Sequence, residues 1–270
     1  MLSQLLKCLP RHEFEKLANR IDGKVWSTAL SRWCQFVALT VGQLNGRQSL
    51  RDIEVCLQSQ RHLHYHLGNQ LVSKSSLARA NEQRDYSFYA QLFETLYQCC
   101  AKRATKHGFR FNNKLFSLDG SLLDASMKVF PWADDNRKKA AVKLYLGLYR
   151  DGLIRCFARI TEGRVSGSQM AREWNVPAGS MLIFDKGYNS YRWHNSLTEQ
   201  RIYWVTRIGG NAQYSVLEQK TASENAYVLK DQRIQYSAKS NQEAGIKPIR
   251  LIRYRDAETN KEYGFITNHF

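Results

Sequence analysis

Near Asn112 the hydrophobic pattern of the chain changes period, and this change constrains the fold more than any other feature. Upstream of it, positions such as Phe36, Leu39, Thr40 and Leu44 recur at helical spacing, and proline occurs only at position 10. Ser49 has the form of an N-cap for a helix entered at Leu50-Arg51-Asp52, and a second helix start lies at Ser73-Lys74-Ser75-Ser76. A further helix is expected over roughly Tyr86 to Arg103, with Phe88, Leu92, Phe93 and Leu96 on one face. Downstream, Lys114 to Leu118 reads as a short strand ending in Asp119-Gly120-Ser121. Val142–Tyr149 and Leu153–Ile160 read as strands joined by Arg150-Asp151-Gly152, a strong hairpin signal. Met181–Phe184 is a buried-type strand closed by Asp185-Lys186-Gly187-Tyr188, followed by a helix near Ser190–Gln200 and a strand at Ile202–Arg207. From Gly209 the pattern is mostly strands. The order predicts a helical domain over residues 1–110 and an α/β domain over residues 111–270.

Charge bears on the partner. The net charge of +16 divides evenly, with 16 basic against 8 acidic residues in 1–110 and 24 against 16 in 111–270. An excess spread over the whole chain suits a protein that neutralises phosphates at many points along a polyanion, although a basic soluble enzyme shares this composition. The longest apolar run, Trp33 to Leu44, is interrupted by Gln35 and Gly42 and falls short of the roughly 20 residues a membrane span requires. No signal peptide is expected at the N-terminus. Six cysteines without a CxxC spacing indicate reduced thiols in a cytosol.

The segment 49–84 has the outline of two helices around a connector, with a polar and basic second helix. This is compatible with a helix-turn-helix type reader in which Ser75, Ser76, Arg79, Asn81 and Arg84 reach phosphates or base edges, a pattern that any pair of amphipathic helices also shows. His62, His64 and His66 alternate and would share one face of a strand, but no cysteine pair or acidic partner accompanies them as zinc ligands. Cys99-Cys100 reads as core.

Asp119 and Asp185 each follow a short apolar run and precede a glycine within two residues. A carboxylate at the end of a buried strand is held at a sheet edge, where α/β folds bind ligands. Two of them from neighbouring strands suit hard divalent cations such as Mg²⁺ or Mn²⁺, and cations roughly 3.5–4 Å apart serve phosphodiester chemistry. On composition alone, Asp-Gly after a strand is an ordinary turn. Lys138, Lys139 and Lys143 are placed to grip phosphates beside Asp119, or form a solvated face. Lys186 and Tyr188 flank Asp185, and Tyr188 and Trp193 are candidates to stack on an extruded base.

The strings Phe116-Ser-Leu-Asp-Gly-Ser-Leu122, Leu182-Ile-Phe-Asp-Lys-Gly-Tyr188 and Thr267-Asn268 resemble the insertion-sequence transposases of the IS-four-like type, within the DDE superfamily. His64-Tyr-His-Leu-Gly68 with Ser75-Ser-Leu-Ala-Arg-Ala-Asn81 resembles the helical domain that one branch of that family carries. The resemblance implies an RNase H-like core with a β-rich insertion over residues 209–264, and Asp119 and Asp185 as the first and second catalytic acids. It implies a two-metal site for Mg²⁺ or Mn²⁺, and double-stranded DNA of transposon ends and target as partner. A homodimer on that DNA and a bacterial cytoplasmic, nucleoid-associated location follow from it. The family's third acid is a Glu in a Tyr-x2-Arg-x3-Glu-x6-Lys pattern after the strand ending in Thr-Asn. Here Glu199, Glu218, Glu224, Glu243, Glu258 and Glu262 lack those partners, and Phe270 is the last residue. The expectation is therefore an incomplete core, truncated before its last helix and inactive in cleavage. A non-catalytic DNA-binding protein derived from a transposase is the alternative, and an unrelated metal-dependent nuclease is a third reading.

Overall fold

The computed structural model describes residues 2–7, 9–23, 30–125, 140–162, 165–220, 226–237 and 246–270. The chain divides into two compact units, Met1–Cys99 and Cys100–Phe270.

The first unit is helical: α1 (Leu2–Lys7), α2 (Arg11–Asp22), α3 (Arg32–Leu44), α4 (Leu50–Ser59), α5 (Lys74–Gln83) and α6, which begins at Ser87 and ends at Ala101. Side-chain caps start three of them. Ser31 accepts from the Cys34 N–H, Ser49 from Asp52 and Ser73 from Ser76, each satisfying a backbone donor that the helix leaves unpaired. Phe14, Trp33, Val37, Leu57, Leu77 and Phe88 form the core, with the Phe14 ring edge-on to Trp33 and Phe88. A buried charge crosses this core. Arg32, 5% exposed, donates from Nε to Asp22 Oδ2 at 2.7 Å while its guanidinium lies 4.7 Å from the centre of the Phe88 ring.

The connector between α4 and α5, residues 60–73, contains two 3₁₀ turns, Arg61–Leu63 and Tyr65–Leu67. The two helices around a connector expected over 49–84 are present, and the connector is longer than the three- or four-residue turn of a helix-turn-helix. The alternating histidines lie on these turns and not on a strand. His64 is buried with Nε2 2.9 Å from the Leu57 carbonyl oxygen.

The second unit is built on one nine-stranded mixed sheet in the order β3-β2-β1-β4-β5-β9-β8-β7-β6. Its strands are β1 (Leu115–Ala125), β2 (Ala140–Tyr149), β3 (Ile154–Glu162), β4 (Met181–Phe184), β5 (Tyr203–Arg207), β6 (Tyr214–Gln219), β7 (Val228–Tyr236), β8 (Ile249–Arg255) and β9 (Glu262–Thr267). A short α7 (Gly167–Ala171) precedes β4, and α8 (Tyr191–Glu199) joins β4 to β5. β1, β4 and β5 run parallel at the centre, while β2 and β3 fold back antiparallel on one side and β9 through β6 on the other. Parallel β4 and β5 require a crossover, and α8 supplies it. Its buried Trp193, His194 and Leu197 pack on the sheet, with ring centres of Phe184 and Trp193 4.7 Å apart and of His194 and Trp204 4.4 Å apart.

The hairpin between β2 and β3 turns through Asp151-Gly152, with Gly152 at φ +66°. Asp151 holds this turn by accepting from the His107 N–H at 2.8 Å and the Tyr149 hydroxyl at 2.7 Å. Beyond β9, Asn268 accepts from the Trp204 N–H at 2.9 Å and donates to the Ile202 carbonyl at 2.9 Å and the Thr198 hydroxyl at 3.0 Å. No helix among the described residues is long and apolar enough to cross a membrane.

Candidate active site

The three central strands set the positions of the acids. β1 and β4 are registered up to Leu118 opposite Phe184, and β4 and β5 place Ile183 opposite Val205. Carrying these registers forward by one and two residues brings Asp119, Asp185 and Arg207 to one level of adjacent strands, which lie about 4.8 Å apart in a sheet. Side chains alternate across a strand. Leu118 and Phe184 are buried, so Asp119 and Asp185 fall on the opposite, accessible face, and both are exposed.

Asp119 does not terminate its strand. β1 continues to Ala125 against β2, with Asp119 opposite Leu146 and Gly120 opposite Tyr145. The turn reading of Asp-Gly, and the strand end expected at residue 118, are corrected by this pairing. What ends beside Asp119 is the neighbour, because β4 stops at Phe184 and the chain turns through the 3₁₀ segment Lys186–Tyr188.

Each carboxylate has defined partners. Asp119 Oδ1 accepts the N–H of Gly120 at 2.8 Å. Asp185 Oδ1 accepts from Arg207 Nη2 at 3.1 Å, an ion pair in which the side chains are 50% and 45% exposed. Partial burial pulls the Asp185 carboxyl upward. The hydrogen bond from Arg207, the N–H groups of Lys186 and Gly187 and the charge of Arg207 together outweigh it, holding the carboxyl below its ordinary range. Asn189 donates to the Arg207 carbonyl at 3.1 Å and so ties the segment after Asp185 to β5.

Tyr188 packs beside Gly120, near enough for the charges of both acids to act on it. It is 5% exposed, and its ring meets Tyr145 and Phe184 edge-on. Its hydroxyl makes no hydrogen bond. Burial first, then the charges of Asp119 and Asp185 among its neighbours, push that hydroxyl well above the usual phenol range. Two glycines make room for the ring: a Cβ on Gly120 would stand 2.7 Å from the Tyr188 hydroxyl, and one on Gly167 would stand 2.8 Å from the ring. Enclosed in this way, Tyr188 presents no face to a base, and Trp193, 4% exposed, presents none either. The stacking expectation for both rings is corrected.

The other expected contacts separate. Lys186 is exposed next to Asp185. Lys143 is half-buried and donates to the Val165 carbonyl at 3.0 Å, so its ammonium is already engaged. Lys138 and Lys139 lie outside the described residues. On the helical unit, Arg79 is exposed on α5. Asn81 accepts from Gln35 at 2.7 Å, and Arg84 donates to Gln35 Oε1 at 2.9 Å and to the Leu30 carbonyl. Gln35 is 2% exposed, so Asn81 and Arg84 fasten the end of α5 to the start of α3. Arg207 is the residue that reading the sequence missed. Its signal was present in the position of Arg207 at the end of a strand one removed from Asp185, but only the parallel register makes the two neighbours.

Among the described residues no group of three or more His, Cys, Asp or Glu side chains is placed to hold a metal ion. The pair Asp119 and Asp185 is thus a two-carboxylate locus with a guanidinium beside it.

Comparison with known proteins addresses the whole of this region. Residues 1–70 match a domain family of unknown function, DUF4372, and residues 113–263 match the family described as the transposase DDE domain. The chain is 25% identical over 186 residues to "Putative transposase y4zB" of Sinorhizobium fredii, an alignment covering 67% of this chain and 51% of the relative. The chain therefore spans about half the length of that curated relative. Among solved structures, the piggyBac transposase synaptic complex with hairpin DNA aligns with 94% of this chain and 57% of its own, at 10% identity and a TM-score of 0.41. An endonuclease V from Bacillus subtilis aligns with 70% of this chain and 78% of its own, at 11% identity and a TM-score of 0.27. With its DDE match covering more than half of its length, and both Asp119 and Asp185 inside that match, this chain belongs to the transposase DDE domain family.

Proposed function

We propose that this chain supplies the DNA-binding and carboxylate-bearing parts of a DDE transposase, acting on duplex DNA at transposon ends with Mg²⁺ or Mn²⁺. The observation that supports the reading is that Asp119 and Asp185, both exposed, each follow directly on the paired residues Leu118 and Phe184 of neighbouring parallel strands. On this reading β1 to β5 with α8 correspond to an RNase H-like core, and β6 to β9 to a β-rich insertion.

The residues fit a divalent cation. Mg²⁺ is commonly held by one or two carboxylates, with water and phosphate oxygens in the remaining positions, and two exposed aspartates, one within β1 and one directly after β4, provide that set. When bound, such a cation activates a water and stabilises the leaving oxygen of a phosphodiester. The chain's own share is positional. The strands hold the two carboxylates in register, the Gly120 N–H orients Asp119, and Lys186 offers a cation to a nearby phosphate. Arg79 on α5 offers another from the helical unit.

The test is a Mn²⁺ titration of this chain and of its Asp119→Asn and Asp185→Asn variants, followed by electron paramagnetic resonance. Saturable binding that each substitution weakens at least tenfold supports the reading. Absence of binding, or binding that neither substitution alters, overturns it.

A further inference from the structure

We propose that Arg207 is a displaceable counter-ion of this site: its guanidinium holds the Asp185 carboxylate until a divalent cation takes that oxygen. The inference rests on the reading of Asp119 and Asp185 as the cation's ligands and adds a regulation to it.

The two acids are not equivalent in the structure. Asp119 is bonded through Oδ1 to the N–H of the next residue, a contact that leaves the carboxylate open to a cation. Asp185 is guarded: Oδ1 is taken by Arg207 Nη2 at 3.1 Å. A guanidinium keeps its charge near neutral pH, so at that pH it is a competing cation that lifts this guard.

The pair is built to exchange. Both side chains are about half exposed, and exposed ion pairs of this kind are weak because water solvates either partner once they part. The backbone beneath Arg207 is fixed, by contrast. β5 is paired on both sides, Arg207 itself lies opposite Phe265 of β9, and its carbonyl accepts from Asn189. The side chain therefore swings while the strand and the loop after Asp185 keep their places. Before a cation arrives, Arg207 holds the Asp185 side chain in place through this bond. Once displaced, the guanidinium remains at the rim of the site as a free positive charge, suited to a phosphate oxygen.

The experiment measures binding of Mn²⁺ alone, without DNA, to the chain and to Arg207→Gln by calorimetry and paramagnetic resonance. Arg207→Lys serves as a second variant, and circular dichroism checks the fold of each. Arg192→Gln removes the same charge from an exposed position on α8 that makes no contact with Asp185. The expected result is tighter binding in Arg207→Gln by about threefold to fivefold, the range an exposed ion pair supports, with Arg192→Gln within twofold of the parent. Equal affinity in the parent and Arg207→Gln, with binding still lost in Asp185→Asn, would overturn the counter-ion role and leave the metal site standing. The same gain in Arg192→Gln as in Arg207→Gln would overturn it too, by assigning the effect to net charge. Failure of every form, Arg207→Gln included, to bind Mn²⁺ would defeat the metal reading itself.

Discussion

The Tyr188 hydroxyl stands 2.7 Å from the point that a Cβ on Gly120 would occupy, although Gly120 sits within a paired strand. The glycine after the first aspartate and the tyrosine three residues after the second are therefore two halves of one packing contact.

That contact predicts the effect of Gly120→Ala. The added methyl also lies 3.0 Å from the Tyr145 ring, so overpacking should cost about 1–3 kcal/mol. Tyr188→Phe removes a buried hydroxyl that makes no hydrogen bond and should be close to neutral. Urea denaturation of the two single variants and the double variant should show the alanine costing less in the phenylalanine background. Strict additivity would contradict the contact.

Arg79 and Arg84 should behave differently when each is changed to Ala. Loss of the exposed Arg79 should leave the melting temperature unchanged and weaken duplex DNA binding. Its log–log salt slope should fall by about 0.9 if one phosphate contact is lost. Loss of Arg84 removes bonds to Gln35 and the Leu30 carbonyl, so it should lower the melting temperature of the helical unit. Fluorescence anisotropy across a salt series, with thermal melts alongside, separates the two.

His194 makes the sheet-bearing unit sensitive to acid. Burial between α8 and the sheet lowers its pKa to about 3, against about 6.5 in an unfolded chain. The folded state thus favours the neutral ring. Its contribution is fully present above pH 6.5 and is lost progressively as pH falls from there toward 3, because the unfolded chain takes up the proton first. Stability followed by urea melts should decline over that window, and His194→Phe should flatten the decline. An unchanged slope in the variant would contradict the assignment.

Asp22→Ala should unfold the helical unit readily. It would leave the guanidinium of Arg32 buried without its carboxylate, at a cost of about 3–5 kcal/mol. Replacing both residues by apolar ones should recover part of this, as a thermal melt of the double variant would show.

The sequence made the helix starts at Ser49 and Ser73 legible because a capping hydroxyl acts within three residues. The Asp-Gly hairpin at 151–152 was legible for the same reason, as turn chemistry is local. Asp119 and Asp185 were legible through apolar runs and a family motif, although the length of β1 was not, since its continuation to Ala125 depends on β2. Arg207 was legible only as a strand-end residue, because its partnership with Asp185 depends on the register of two strands separated by α8. Asn81 and Arg84 were misleading for a related reason. Their polar ends are bound by Gln35, more than forty positions upstream, and no local pattern announces a tie of that length.

The place of β9 in the sheet imposes an order on folding. β5 must pair on its far side with β9, and Val205 meets Thr267 only after β6, β7 and β8 have been made. At about 5–20 residues per second, a ribosome leaves the outer edge of β5 unpaired for several seconds. Unpaired edges template association with other chains, so this interval is the vulnerable one in biosynthesis. Closure then falls to β9 and to the Asn268 side chain, which bonds the Trp204 N–H and the Ile202 carbonyl and bolts β9 to β5.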